Sequence, residues 1–341
     1  MSRQDKQILK RIAGVLAAVL FVGWFLFWPL NYYIETPGTA DNLKSYVTVK
    51  GHPDKHKGSY MITSVYLQQA RPATYIWAHF DPQATIEKAS DVTGGQSGAT
   101  YNKVQNFYMK SAINEAIAVA YKAAHQEYTK QYLGIYVLEV EKQSKFKNDL
   151  KVGDTITEVD GRHFDTAQGY QKYIANQKVG QDLTITYLHN GKKHQTTHKL
   201  IKIMGDRAGI GILLTDNVKI HTKIPVKVNP GQLGGPSGGL MFSLQIYQQV
   251  SGEGLRHGRK IAGTGTIAPD GSVGEIGGID KKVIAAHKAG ATIFFAPYVK
   301  PTKTILKYEE GHKTNYQLAK ETAKKYADIF LIRKLRRESS R

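Results

Sequence analysis

Residues 12 to 30, IAGVLAAVLFVGWFLFWPL, run for 19 positions without a charge. A helix rises about 1.5 Å per residue, so a run of this length is close to what crosses the hydrocarbon core of a bilayer. It divides the chain into a tail of residues 1–11, a transmembrane anchor over 12–30 and a long remainder from about residue 35. Trp24, Trp28, Tyr32 and Tyr33 gather toward one end, as in an interfacial aromatic belt. Arg3, Lys6, Lys10 and Arg11 precede the run against a single Asp5, and NYYIETPGTADNL after it carries no basic residue. The positive-inside rule therefore predicts a single-pass cell-membrane protein with a cytoplasmic N-terminus and an extracellular remainder. A cleavable signal peptide competes with this reading, but the apolar run is long for one and no small-x-small site follows it.

The 341 residues leave room for two domains beyond the anchor. With no cysteine in the chain, disulfides and thiolate metal sites are excluded. No motif calls for a metal or any other cofactor. A formal charge of +19 invites a nucleic-acid or polyanion reading. The basic residues are spread along the whole chain, however, and no basic helix with interleaved aromatics occurs, so no nucleic-acid partner is expected. An anionic membrane or wall surface accounts for the excess equally well.

Along the presumed ectodomain, SYMITSVYL (59–67) reads as a strand. Residues 101–126 read as a helix, because Met109, Ile113, Ala116, Ile117 and Ala120 recur on one face. From about residue 130 the pattern turns to β. YLGIYVLEV and LKVGDTITEVDGRHF read as strands with turns at Gly153 and Asp160-Gly161, and TAQGYQKYIANQ reads as a short helix. QDLTITYLHNGKKHQTTHKL turns at Asn190-Gly191, a strong hairpin signal. This order, with its LGI loop, resembles a PDZ domain over 130–203. The resemblance implies that the amides of Leu133, Gly134 and Ile135 hold a peptide, by its terminal carboxylate or by an internal segment, as it adds to the sheet edge.

Beyond residue 204, GIGILL and HTKIPVKV read as strands, GLMFSLQIYQQV as a helix and GRKIAGTGTIAPDGSVGEIGG as glycine-punctuated β structure. IDKKVIAAHKAG reads as a helix ending at Gly290, and TIFFAP as a strand. The helix after GGPSGG is apolar nearly all round, hence buried, and its N-terminus offers orphan N–H groups. Ser237 sits there beside the rigid Pro236 and uncrowded by Gly235, Gly238 and Gly239. That position suits an acyl-transfer nucleophile with oxyanion donors beside it, and equally suits a helix N-cap. A serine nucleophile needs a base. His221, His257 and His287 are candidates without a recognisable spacing. In GGIDKK, Asp280 reads as an N-cap, which puts Lys281 and Lys282 in a first helical turn where the dipole disfavours cations. Lys282 shares a face with Ala285, Ala286 and Ala289, a lining that would favour its neutral amine. Lys281 reads as a solvated surface lysine.

GGPSGGL, followed 45 residues on by the last lysine of GGIDKK, with TGT between and AAHKAG after, resembles the α/β proteolytic domain of Lon proteases. The resemblance implies Ser237 as nucleophile, Lys282 as general base, Thr264 as a residue orienting the lysine, and the loop Gly235, Pro236 and Gly238 as the oxyanion region. The anchor and the inserted PDZ domain look like the SepM/YlbL group of membrane-anchored Lon-like peptidases. The implied division is residues 35–129 and 204–335 for the catalytic part, with the PDZ domain between. The chain departs from the family pattern where alanine usually stands at Gly238 and in the basic end IFLIRKLRRESSR. It also has no GxxxxGK[ST] loop, which implies peptide processing without ATP. The partners expected are peptides or exposed protein segments, met by both the PDZ domain and the active site, and no oligomeric state follows. A PDZ-containing membrane adaptor with a non-catalytic protease-like fold is the alternative from a different class.

Overall fold

The computed structural model describes residues 3–308, 310–326 and 330–332. The N-terminal helix spans Arg3–Phe27 with no residue buried. Among the described residues it is the one helix long and apolar enough to cross a membrane. It starts nine residues before the uncharged run and stops short of that run's end, because Pro29 has no N–H to continue the ladder.

The segment that follows the anchor is strand. Tyr32–Asn42 pairs antiparallel with both Ser59–Gln69 and Thr85–Lys88. On the other side of Ser59–Gln69 come Lys260–Gly263, Ile293–Phe295 and Phe330–Ile332, all parallel. These six strands form one mixed sheet. Period-two alternation divides their side chains between two cores. Tyr60, Ile62, Ile261, Ile293 and Phe295 face the helices Gly98–Ala123 and Gly239–Ser251. Met61, Ala262 and Phe294 face Ile279–Lys288 and Asn315–Ala323. The result is an α/β layer with helices on both faces. Of the basic end, Phe330–Ile332 serves as the sheet's edge strand, and residues 333–341 lie outside the described residues.

The long helix begins three residues before the predicted start. Ser97 caps it by accepting from the Thr100 amide, and the chain leaves the helix at His125, which takes φ 54°.

A second sheet has the order Ile212–Thr222, Tyr128–Val140, Thr155–Val159, Asp182–His189, Lys192–Lys199, with the helix Ala167–Ala175 packed against it. Asn190 and Gly191 take φ of 50° and 78°, the two left-handed residues of a type I′ hairpin turn. The fifth strand lies beyond residue 203, so the β module as folded reaches Thr222. A strand pattern alone does not say which sheet a strand joins. Tyr128 and Thr222 are register partners at the base of this ladder, where Tyr128 and Ile220 pack into the core between the mixed sheet and the helices Gly98–Ala123 and Gly239–Ser251. Further along, Phe107 of the long helix stacks on Tyr136 of the module.

Candidate active site

The serine loop is shaped by two close approaches. Gly235 takes φ 80° and donates its amide to the Gln105 carbonyl at 2.9 Å. At Gly238 a Cβ would come within 2.6 Å of Ile62 Cδ1. The helix Gly239–Ser251 is capped by Gly238, not by Ser237, and this leaves the Ser237 hydroxyl for other work. Its Oγ accepts from Lys282 Nζ at 3.1 Å. Lys282 Nζ also reaches Thr264 Oγ1 at 3.4 Å, and that hydroxyl donates to the Ser237 carbonyl at 3.1 Å. Gly265 N donates to the same carbonyl at 2.8 Å, so the loop's backbone is tied to the segment that follows the strand Lys260–Gly263 and carries Thr264.

Lys282 enters from the helix Ile279–Lys288. The N-cap of that helix is Gly278 in the left-handed region, not Asp280, which stands second in the helix. Lys282 is 4% exposed. Burial lowers its ammonium from 10.5 to about 8, against an opposing pull from Glu35. Lys281 corrects an expectation. It is buried rather than solvated, 2% exposed, and its Nζ pairs with Asp280 at 3.1 Å. The two neighbouring lysines thus differ in partner, one facing a carboxylate and one facing hydroxyls.

None of the histidines is brought to the serine. His221 bonds to Gln131 in the long ladder, His287 packs against Tyr326 with the rings tilted, and His257 is exposed. Of the predicted oxyanion loop, Pro236 has no N–H and the Gly235 amide is already committed to Gln105. The amides of Ser237 and Gly238 have no acceptor among the described residues and stand at the helix N-terminus. Ser237, Gly238 and Lys282 open on a cleft of about 1110 Å³ whose wall includes Tyr33, Asp41 and Tyr101. Sequence reasoning missed Glu35 and Asp41, both in the strand Tyr32–Asn42, where TPG reads as a turn.

The expected peptide loop is also relocated. Gly134 and Ile135 lie inside the strand Tyr128–Val140, in register with Asn217 and Asp216, and Leu133 is the bulged residue between paired neighbours. A Cβ on Gly134 would meet the Ile156 carbonyl at 2.1 Å. The glycine therefore serves strand-to-strand approach, and these three amides do not form an open loop. Ile212–Thr222 is one of the sheet's two edge strands, the other being Lys192–Lys199, and Asp216 accepts from Ala167 N at 2.7 Å at the start of the neighbouring helix. Between that helix and residues 207–214 runs a groove of about 290 Å³, walled by Ile174, Ile203, Ile212 and Leu214 with Arg207 at its side.

A desolvated lysine amine on a serine at a helix N-terminus, joined to a five-strand module with a helix-flanked edge, defines a two-part molecule. The PDZ domain family model matches residues 114–200, and the model of the Lon protease (S16) C-terminal proteolytic domain matches residues 190–315. The chain therefore combines a PDZ domain with a Lon-type proteolytic domain. It is 32% identical to the Lon protease of Desulforamulus reducens over 30% of this chain and 12% of that protein. To Lon protease 1 of Herpetosiphon aurantiacus it is 31% identical over 28% of this chain and 11% of that one. The chain thus spans about one eighth of the length of the curated relatives it matches. The PDZ domain of an SdrC-like protein from Listeria monocytogenes is 38% identical over 25% of this chain and 90% of that structure, with a TM-score of 0.24.

Proposed function

We propose that this chain is an ATP-independent serine endopeptidase that works at the outer face of the cell membrane on peptides or exposed protein segments. The observation that carries the reading is Lys282 Nζ, 3.1 Å from Ser237 Oγ in a site that holds the amine toward neutrality. The neutral amine takes the Ser237 proton as Oγ attacks the scissile carbonyl. The resulting oxyanion receives the Ser237 and Gly238 amides. The lysine ammonium then returns its proton to the leaving amine, and a water activated by the same base releases the acyl group. Thr264, bonded to both partners, fixes the direction of the amine. Outward orientation is supported by the basic flank before the apolar helix, and independence of ATP by the lack of a phosphate loop in the sequence.

Substrate capture belongs to the groove beside residues 207–214, where an extended peptide can add to the free strand edge. The decisive experiment is labelling with a serine-directed fluorophosphonate probe. Label is expected on Ser237 of the wild type and lost in both Ser237→Ala and Lys282→Ala. Labelling that persists without Lys282 would remove the lysine from the mechanism. An unlabelled wild type that still bound peptide would favour the adaptor reading.

A further inference from the structure

We infer that Asp41 makes the cleft selective for a substrate segment carrying a lysine or arginine side chain close to the scissile bond, an inference that rests on the peptidase reading of the same cleft. Among the residues lining that cleft, the side chains that can bear charge are Asp41 and Lys282. Lys282 is the one held toward its neutral form. In the state ready for catalysis, the cleft therefore presents a carboxylate with no lining cation to offset it, although the chain as a whole carries +19.

The carboxylate is pre-oriented. Thr39 Oγ1 donates to Asp41 Oδ2 at 2.7 Å and Tyr46 OH donates to the same oxygen at 3.2 Å. Oδ1 accepts no hydrogen bond among the described residues, and Asp41 is only half-buried. One oxygen is thus anchored by two hydroxyls while the other stays available to a donor. Its place relative to the nucleophile follows from the ladder. Asp41 is the register partner of Ile62, so the two share a face, and Ile62 abuts Gly238, the residue after Ser237. Tyr33, Tyr66 and Tyr101 also line the cleft, and aromatic walls suit the stem and charge of a cationic side chain.

A carboxylate kept only to hold the Pro37–Ala40 bulge would need its bonds to Thr39 and Tyr46 but not its charge. The test separates these roles. Matched peptides carrying either lysine or norleucine at each position flanking the scissile bond are assayed for kcat/KM with the wild type, Asp41→Asn and Asp41→Lys. The wild type is expected to favour the lysine peptide at one position by roughly tenfold, the scale of a charge-assisted hydrogen bond. Asp41→Asn, which can still accept from Thr39 and Tyr46, is expected to bring the ratio close to one. Asp41→Lys is expected to invert it. A wild type without preference at any position, or an Asn variant that lowers both peptides together at constant ratio, would overturn the inference. The same peptide pairs are titrated by fluorescence anisotropy against Ser237→Ala. If nothing is cleaved but the lysine peptide still binds tighter in an Asp41-dependent way, the peptidase reading fails and the selectivity stands. If binding shows no such dependence either, the selectivity fails.

Discussion

In the function proposed above, the cleft at Ser237 and the groove beside Ala167–Ala175 each take an extended peptide, yet they are built from different parts of the chain. The cleft depends on side chains. Lys282 is buried at a cost, and in the proposed mechanism its amine serves the serine, so removing one member of that pair should remove the chemistry. The groove depends on main chain, the start of the edge strand Ile212–Thr222, with apolar walls that tolerate exchange. Its energy is spread over several weak contacts, so no single side chain should govern it. The two regions meet through the ladder of residues 128–140 and 212–222 and through the long helix. That helix stacks Phe107 on Tyr136 and lends the Gln105 carbonyl to the serine loop.

The sharpest way to break this contrast is to swap the base. Lys282→Met is expected to lower cleavage of a short peptide on the order of a thousandfold or more, as when one member of a catalytic unit is removed. Ile212→Ala in the groove should change the same assay only a few-fold. Steady-state kinetics on one unstructured peptide compares the two, and equal losses would end the distinction. Thermal unfolding adds a second reading. In the wild type, Lys282 titrates at about 8 when folded and near 10.5 when unfolded. The unfolded chain therefore binds the extra proton between those values, and wild-type stability rises with pH across that window. Below pH 8 the burial cost is complete, on the order of 3 kcal/mol as an upper figure. The Met variant should be the more stable protein at pH 7, and its advantage should vanish above about pH 10.5.

The pH profile of activity separates the regions next. With a base at about 8, kcat/KM should rise close to tenfold per pH unit below that value and level off above it. Variants in the groove should shift the height of this limb but not its midpoint. Replacing His221, His257 or His287 should leave the midpoint in place, and a limb near 6.5 that disappears with one of them would point to a histidine base.

The same division explains what could be read in advance. Ser237, Thr264 and Lys282 stand in motifs whose residue types are dictated by their chemistry, and the structure brings all three within hydrogen-bonding reach. The helices and hairpin of the β module also follow from periodicity and from Asn190-Gly191. Main-chain capture leaves no comparable mark. LGI at 133–135 and GIGI at 209–212 look alike as strings, and only the pairing partners tell which one keeps an open edge. Glu35 and Asp41 were hidden for a related reason. Their strand contains Pro37 and Gly38, turn residues in sequence terms, which the sheet absorbs as a bulge. The solvated reading of Lys281 failed because periodicity does not reveal that Asp280 would pair with it at the edge of a second pocket.

Two glycines carry the comparison to smaller effects. A Cβ at Gly134 would strike the Ile156 carbonyl at 2.1 Å, with φ at 131°. Backbone on both sides leaves nothing to move, so Gly134→Ala should cost roughly 3 kcal/mol or more, expose the β module to proteolysis and impair a protein substrate more than a short peptide. At Gly238 the nearest obstacle is Ile62 Cδ1 at 2.6 Å, the far end of a flexible side chain, followed by Phe242 at 3.1 Å. Alanine, the usual residue in the Lon pattern, should therefore fit once Ile62 changes rotamer. The expected cost is about 1 kcal/mol, with a loss in kcat/KM of only a few-fold. Ile62→Val deletes the offending Cδ1, so the double variant Gly238→Ala/Ile62→Val should lose less than the two single losses would sum to. A double-mutant cycle in both stability and kcat/KM measures this coupling. Strict additivity would mean that Gly238 is set by Phe242 or by the serine loop itself, and the contact with Ile62, on the strand paired with that of Asp41, would then have no part in shaping the nucleophile.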